Sequence, residues 1–380
     1  MSLSGDAVLI AAFSGRSLAQ SARRAGFRPL VVDAFGDLDT RDAAEDLRVI
    51  DGAMETGFRT KPLIAALNEL SQSAPTAPIG LVLGSGLEDQ PRLVNALASR
   101  FRLLGCDART LATCKDPKKF FALLDELAIP HPATQIEPPS AASGWISKRI
   151  GGSGGRHIRD CSDTPHAKPR RYFQKRLTGM RYSIGALSTQ AGTAASSFAL
   201  SRQWTSPSPA HPYRFGGCVS QPAIDVSLSA EMIGCARKLC EKLQLRGLAS
   251  FDFIVEQGVA YLLEVNPRPG ASLDVLDDRS GSLFARHIAA CTGAPVASQQ
   301  NDSSPAKAMA ILHADRGPIT LGYTPWPNWS ADRGTPGTFV PLGAPLATAF
   351  AEASTADAAE ALARQRLAEL EDLIYGHAKS

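Results

Sequence analysis

Apolar residues fall in short blocks along the chain, and the spacing within each block indicates its element. AVLIAAF at 7–13, a turn at Ser14 and Gly15, RSLAQSARRAG closed by Gly26, and RPLVVDAF ending near Asp33 read as strand, turn, helix and strand. That is a βαβ unit of a parallel sheet. PIGLVLGSG at 78–86 adds a third strand, followed by a helix with Leu93, Leu97 and Phe101, so residues 1–112 form an open α/β domain. Its functional residues belong at the strand ends, with Ser85, Gly86 and Glu88 among them. KDPKKFFALLDELA at 115–128 gathers Phe120, Leu123, Leu124 and Leu127 on one helical face and opens a second, α+β unit. The strand GWISKRI leads into GGSGGRHIR at 151–159, and YFQKRLTG forms another strand. Small and β-branched residues from Arg181 to Trp204 predict a hairpin, SPSPAHPYRFGG at 206–217 a mobile loop, and 229–245 a helix stopped by Gly247. ASFDFIVE and VAYLLEVN then close on each other, 295–306 reads as a linker, and short strands with a helix over 357–375 end the chain.

Composition narrows the function classes. Forty Lys and Arg against 37 Asp and Glu leave a net charge of +3, too small for bulk attraction to nucleic acid, so any anion site has to be local. The seven cysteines form no CxxC pair, as expected of reduced cytoplasmic thiols. No apolar run approaches the ~18 residues of a membrane span, and no HExxH occurs.

The chemistry concentrates in the last hairpin. Glu264 and Asn266 are two apart and share a strand face. A three-residue loop of Glu256, Gln257 and Gly258 brings Asp252 onto that face, whereas a two-residue loop turns it away. The expected set, two carboxylates and an amide oxygen, suits Mg²⁺, with Mn²⁺ as the alternative. Arg268 follows Pro267 as a fixed cation beside this face. Upstream, Lys148 ends a strand, and Gly151, Gly152, Ser153, Gly154 and Gly155 offer backbone N–H groups with little side-chain obstruction, a common cover for polyphosphate. Neither GxxxxGK[ST] nor GxGxxG is present.

Lys115, Lys148 with GGSGGRHIR, QKRLTG at 174–179, FDF at 251–253 and EVNPRPGAS at 264–272 resemble, in order and spacing, the ATP-grasp superfamily. The closest likeness is to its branch of predicted ATP-dependent carboligases related to biotin carboxylase, of archaeal and methylotroph type. The resemblance implies a Rossmann-like domain at 1–112, an ATP-grasp domain at 113–300 (lid 113–180, larger part 181–300) and a small C-terminal α/β unit at 301–380. It implies that Lys115 and Lys148 contact ATP phosphates, that Gln174, Lys175 and Leu177 lie at the hinge beside adenine, that Asp252, Glu264 and Asn266 bind Mg²⁺, and that Arg268 and Lys148 assist phosphoryl transfer. Gln174 and Lys175 stand where many members carry an acidic hinge residue. Pro269 to Ser272 stand where biotin carboxylase has Glu-His, and no biotinyl Met-Lys-Met occurs.

The reaction implied is amide formation from a small-molecule carboxylate and an amine through an acyl phosphate, with release of ADP. The branch implies cofactor building, such as a one-carbon carrier of the tetrahydromethanopterin or methanofuran kind. A bicarbonate-dependent carboxylase and a non-catalytic ATP-binding module stay open as alternatives, and a homodimer is compatible with either. Substrate contacts are expected from Ser85, Gly86 and Glu88, with Glu88 holding the amine, and from Arg214 as a carboxylate clamp. Trp326, Trp329 and Asp332 are candidates for gating.

Overall fold

The computed structural model describes residues 5–161, 170–189, 197–297 and 305–377. Its first domain is a parallel sheet ordered β3-β2-β1-β4, formed by β1 (Ala7–Ala11), β2 (Arg28–Asp33), β3 (Asp46–Val49) and β4 (Leu81–Leu83). β1 is buried along its whole length, which explains its unbroken apolar run, and the helix Arg16–Arg24 packs Leu18, Ala19 and Ala22 inward. The strand expected over 78–86 is shorter, because beyond Leu83 the backbone turns so that the Glu88 carboxylate accepts from the N–H of Gly86 and of Leu87. β3 and the helix Thr60–Ser73 lacked a legible signal; the sequence of β3, DLRV, alternates polar and apolar for only four residues.

Next comes a four-stranded antiparallel layer, β5 (Thr134–Gln135), β6 (Trp145–Arg149), β7 (Arg159–Asp160) and β8 (Arg171–Lys175), in the order β5-β8-β6-β7. The glycine loop connects β6 to β7. The large sheet contains β9 (Met180–Ser188), β10 (Ser197–Thr205), β11 (Phe215–Ser220), β12 (Gly247–Glu256) and β13 (Val259–Asn266). It continues into the C-terminal part through β14 (Ala306–His313), β16 (Ser330–Ala331) and β18 (Pro345–Ala353), in the order β13-β12-β9-β10-β11-β14-β18-β16. A separate pair, β15 (Ile319–Thr320) with β17 (Phe339–Val340), lies beside it. The unit expected beyond residue 300 is therefore an extension of the central sheet, and the boundary itself falls outside the described residues. The helices Pro117–Glu126 and Val226–Lys242 cover one face with Phe120, Leu124, Met232 and Leu239 against Ile184, Phe251 and Leu262.

The hairpin solves its parity problem differently from the expectation. Glu256 pairs with Val259, so the loop has two residues, Gln257 (φ 51°) and Gly258 (φ 78°), the backbone signs of a type I′ turn. A bulge at Leu263 then shifts the register, and Asp252 pairs with Glu264 after all. The shared face survives because bulge and turn compensate.

His287, on the helix Ser282–Thr292, joins two parts of the molecule: its Nδ1 accepts from the Leu248 N–H at 2.9 Å and its Nε2 lies 3.0 Å from the Leu104 carbonyl oxygen. The pairing requires a neutral ring, and burial lowers its pKa to about 4. A depressed histidine contributes stability at neutral pH that is lost as pH falls from about 6.5 toward 4, because the unfolded chain takes up the proton first. Urea midpoints should thus drop between pH 7.5 and 5, and His287→Gln should flatten that slope; an unchanged slope would refute the assignment.

Candidate functional site

The large sheet, the glycine loop, the first domain and the C-terminal extension enclose a cavity of about 440 Å³. Lys148, Ser153, Gly154, Gly155, Asp252, Glu264, Asn266, Arg268 and Ser85 line it, so residues far apart in sequence meet at one place. Gly151 and Gly152 sit behind the rim, against Asp89 and the His157 ring. At Gly155 (φ 73°) a Cβ would collide with the Tyr213 carbonyl oxygen, so this close approach requires glycine. The Phe215 N–H donates to the Gly154 oxygen at 3.0 Å, and the Tyr213 hydroxyl donates to Asp160 at 2.7 Å. The segment expected as a mobile loop is thereby tied to the glycine loop.

Asp252, Glu264 and Asn266 form a compact group. The Asn266 amide donates to Asp252 at 3.1 Å and to Glu264 at 3.3 Å, while Lys115 Nζ donates to Asn266 Oδ1 at 2.7 Å and lies 3.6 Å from Glu264. Burial disfavours both carboxylates. For Glu264 the ammonium groups of Lys115 and Lys148 outweigh it and hold the pKa low, whereas Asp252, beside Glu264, is raised. Two carboxylates and an amide make too few protein donors for a closed cage, and among the described residues no three His, Cys, Asp or Glu are placed to hold a metal ion. The set fits Mg²⁺ completed by phosphate oxygens. Lys115, expected at the phosphates, is held against the carboxylates. Lys148 is buried above the Tyr172 ring with Gln174 Oε1 at 3.4 Å; burial opposes its charge, but Tyr172 and Glu264 keep its pKa above the ordinary lysine value.

Gln174 points into the lid, donating to Thr134 at 3.1 Å, while Lys175 lies exposed over Trp145 and Leu177 is half-buried in the connection to β9. Three expectations need correction. Glu88 does not wait for an amine: it is 3% exposed and accepts from Arg268 Nε at 2.8 Å and Nη2 at 2.5 Å. Arg268 is accordingly a paired cation rather than a free one. Arg214 is no carboxylate clamp, since Asp315 and the oxygens of Ser206 and Gly343 take its donors. The Gly86 N–H is likewise spent on Glu88.

Residues that pattern reading missed complete the cavity: Arg16, Asp37, Arg181, Gln203 and Asp274. Arg16 bridges Asp274 (2.6 Å) and Asp332 (2.7 Å), which couples the first domain to the C-terminal part. Asp332 therefore stands in the cavity wall, while Trp326 and Trp329 pack in the C-terminal core. None belongs to a motif; Arg16 and Asp37 follow strand ends, whereas Arg181 and Gln203 lie within strands and carry no local signal.

Residues 114–272 match the family model described as an ATP-grasp domain, and the mixed α/β architecture is that of the ATP-grasp fold. Three solved structures place the likeness over nearly the whole chain. The biotin carboxylase domain of Hydrogenobacter thermophilus 2-oxoglutarate carboxylase, a dimer in complex with MgADP, ADP and bicarbonate, aligns with TM-score 0.72 at 11% identity over 95% of this chain and 89% of that one. N5-carboxyaminoimidazole ribonucleotide synthetase in its ADP complex aligns with TM-score 0.68 at 14% identity, over 99% and 98%. Biotin carboxylase from Campylobacter jejuni as a β-γ-ATP complex gives TM-score 0.69 at 15% identity, over 94% and 89%. At such identities the likeness is one of fold. A comparison with curated proteins finds no match.

Proposed function

We propose that the protein is an ATP-dependent carboxylate-amine ligase that releases ADP and phosphate. The observation that carries this reading is the convergence, on one cavity, of the glycine loop, Lys148 and the Asp252–Glu264–Asn266 group. A carboxylate oxygen of the acid attacks the γ-phosphorus of ATP, the bond to the bridging oxygen breaks, and its electron pair leaves with ADP. An amine nitrogen then attacks the acyl carbon, phosphate departs, and the amine gives up a proton. Mg²⁺ held by Asp252, Glu264 and Asn266 would supply charge neutralisation at the phosphates. Lys148 draws off developing negative charge, Lys115 positions Asn266 and Glu264, and the glycine loop excludes water that would hydrolyse the acyl phosphate.

The neighbours' names include biotin carboxylases, one of them crystallised with bicarbonate, and the cavity of about 440 Å³ falls in the range of ligand-sized pockets. Because the same cavity has to take the nucleotide as well, the support for an organic acid comes from its lining, where Met309, Ile311 and Val340 add an apolar wall away from the glycine loop. The resemblance of the ordered motifs from Lys115 to Ser272 to the archaeal and methylotroph branch of carboligases suggests a step in cofactor building, with a one-carbon carrier as product class. A matrix of acids and amines, read by ADP release and product mass, tests the reading. ADP release should require both partners; release driven by bicarbonate alone would replace the ligase with a carboxylase.

A further inference from the structure

Strand register lays out the cavity floor. Residues paired directly across neighbouring strands share a face, and Glu264, Asp252, Ser183, Ser201 and Ser220 form one such row. Two residues along β9 runs a second row: Arg181 pairs with Gln203, Gln203 with Cys218, Cys218 with Met309, and Met309 with Phe350. The second row begins with a guanidinium and an amide and turns apolar as it passes under the C-terminal extension. Arg181, Gln203, Met309 and Ile311 all line the cavity.

Arg181 and Arg156 are the cavity-lining arginines without a side-chain hydrogen bond or ion pair among the described residues, and only Arg181 stands on the strand that carries the floor rows. Arg16 is bound by Asp274 and Asp332, Arg268 by Glu88, Arg214 by Asp315, and Arg202 by Asp357 and Glu360. Arg156, on the glycine loop, feels Glu55 and Arg214 rather than the metal-binding carboxylates. Arg181 has no hydrogen-bond or ion-pair partner among the described residues, yet it is half-buried, feels Tyr213 and Asp252 favourably and is repelled by Lys148. It stands one row, about 7 Å along the strand, from the carboxylate row. The Ser183 hydroxyl and the Gln203 amide donate to Asp252 at 2.7 Å and 3.3 Å, so both rows act on the same carboxylate. A guanidinium that feels a carboxylate but makes no hydrogen bond keeps its donors available inside the cavity, which makes it a seat for an anion.

We propose that Arg181 anchors the carboxylate of the acid substrate beside the metal-binding row, and that the acid carries an apolar body lying over Met309 and Ile311. The inference rests on the ligase reading and deepens it. Arg181 directs one carboxylate oxygen toward the phosphate end, and the apolar floor binds the remainder without competing hydrogen bonds.

The test uses the full chain with MgADP and a panel of simple acids: acetate, succinate, benzoate, phenylacetate and octanoate. Calorimetry should show the three apolar acids binding the MgADP complex more tightly than acetate or succinate. Arg181→Met should weaken them by about 10- to 100-fold, with Arg181→Lys intermediate, while MgADP affinity stays within about threefold. Met309→Ser should remove the preference over acetate. The proposal is overturned if no panel acid binds, if binding survives Arg181→Met, or if Arg181→Met weakens MgADP as much as the acid. Failure of MgADP itself to bind the unaltered protein is a different result, and it sinks the nucleotide reading instead.

Discussion

Glu264→Gln is expected to reduce ATP-dependent ADP formation by on the order of 10²- to 10³-fold with the fold intact. The side chain keeps its shape and its contact with the Asn266 amide, so packing changes little. What disappears is the charge that Lys115 and Lys148 hold ionised despite burial. A neutral amide is a weak ligand for a hard divalent cation, so the loss should appear as a raised Mg²⁺ requirement as well as a lower kcat. Lys148→Ala should lose a comparable factor with a smaller change in the Mg²⁺ requirement, because Lys148 hydrogen-bonds Gln174 and Lys115 still holds Glu264 ionised. Turnover near wild type in Glu264→Gln, measured by coupled ADP release across a Mg²⁺ series, would end the ligase assignment.

The second large effect concerns Glu88 and Arg268. Both side chains are shielded from water, at 2% and 12% exposed, and together they bind the first domain to the strand end that follows Asn266. Glu88→Ala leaves the guanidinium without its counter-charge, which costs about 3–5 kcal/mol when such a pair is buried. Arg268→Met strands the Glu88 carboxylate in the same way, although two backbone N–H groups still hold it. The double variant Glu88→Ala/Arg268→Met should lose much less than the sum, and denaturant midpoints of the four proteins measure that coupling. Additive losses would show that the two side chains act independently. The pKa of Glu88 also lies below the usual glutamate value: burial opposes this, and Arg268 and Lys115 outweigh it. Its contribution is present above the unfolded pKa and is lost as pH falls through the lower folded one, the same direction as His287.

The two corrections at this contact have one origin. Glu88 and Arg268 are 180 residues apart, and each was individually credible as a ligand for something outside the chain. Nothing local distinguishes a carboxylate awaiting an amine from one that receives a distant arginine. Arg214 failed in the same way, because its partner Asp315 lies 101 residues downstream. Arg181 was missed for the converse reason: a lone arginine at the start of a strand has no pattern, and only the register of β9 against β10 puts it in the cavity.

Local order was legible from spacing. The βαβ opening, the glycine loop between two strands, the amphipathic helix Pro117–Glu126, and the pairing of FDF with EVN all follow from periodicity and from residues with restricted backbone choices. Those features alone determined a hairpin carrying Glu264 and Asn266 on one face and a glycine-rich loop between two strands. Even so, the route by which Asp252 reached that face, a two-residue turn offset by a bulge, depended on backbone geometry that residue type does not encode. Tertiary structure alone decided which charges remain unpaired, how far the central sheet extends past residue 300, and what the cavity floor is made of. The physical reason is range: periodicity and turn chemistry act over a few residues, whereas ion pairing and sheet register join positions a hundred or more residues apart.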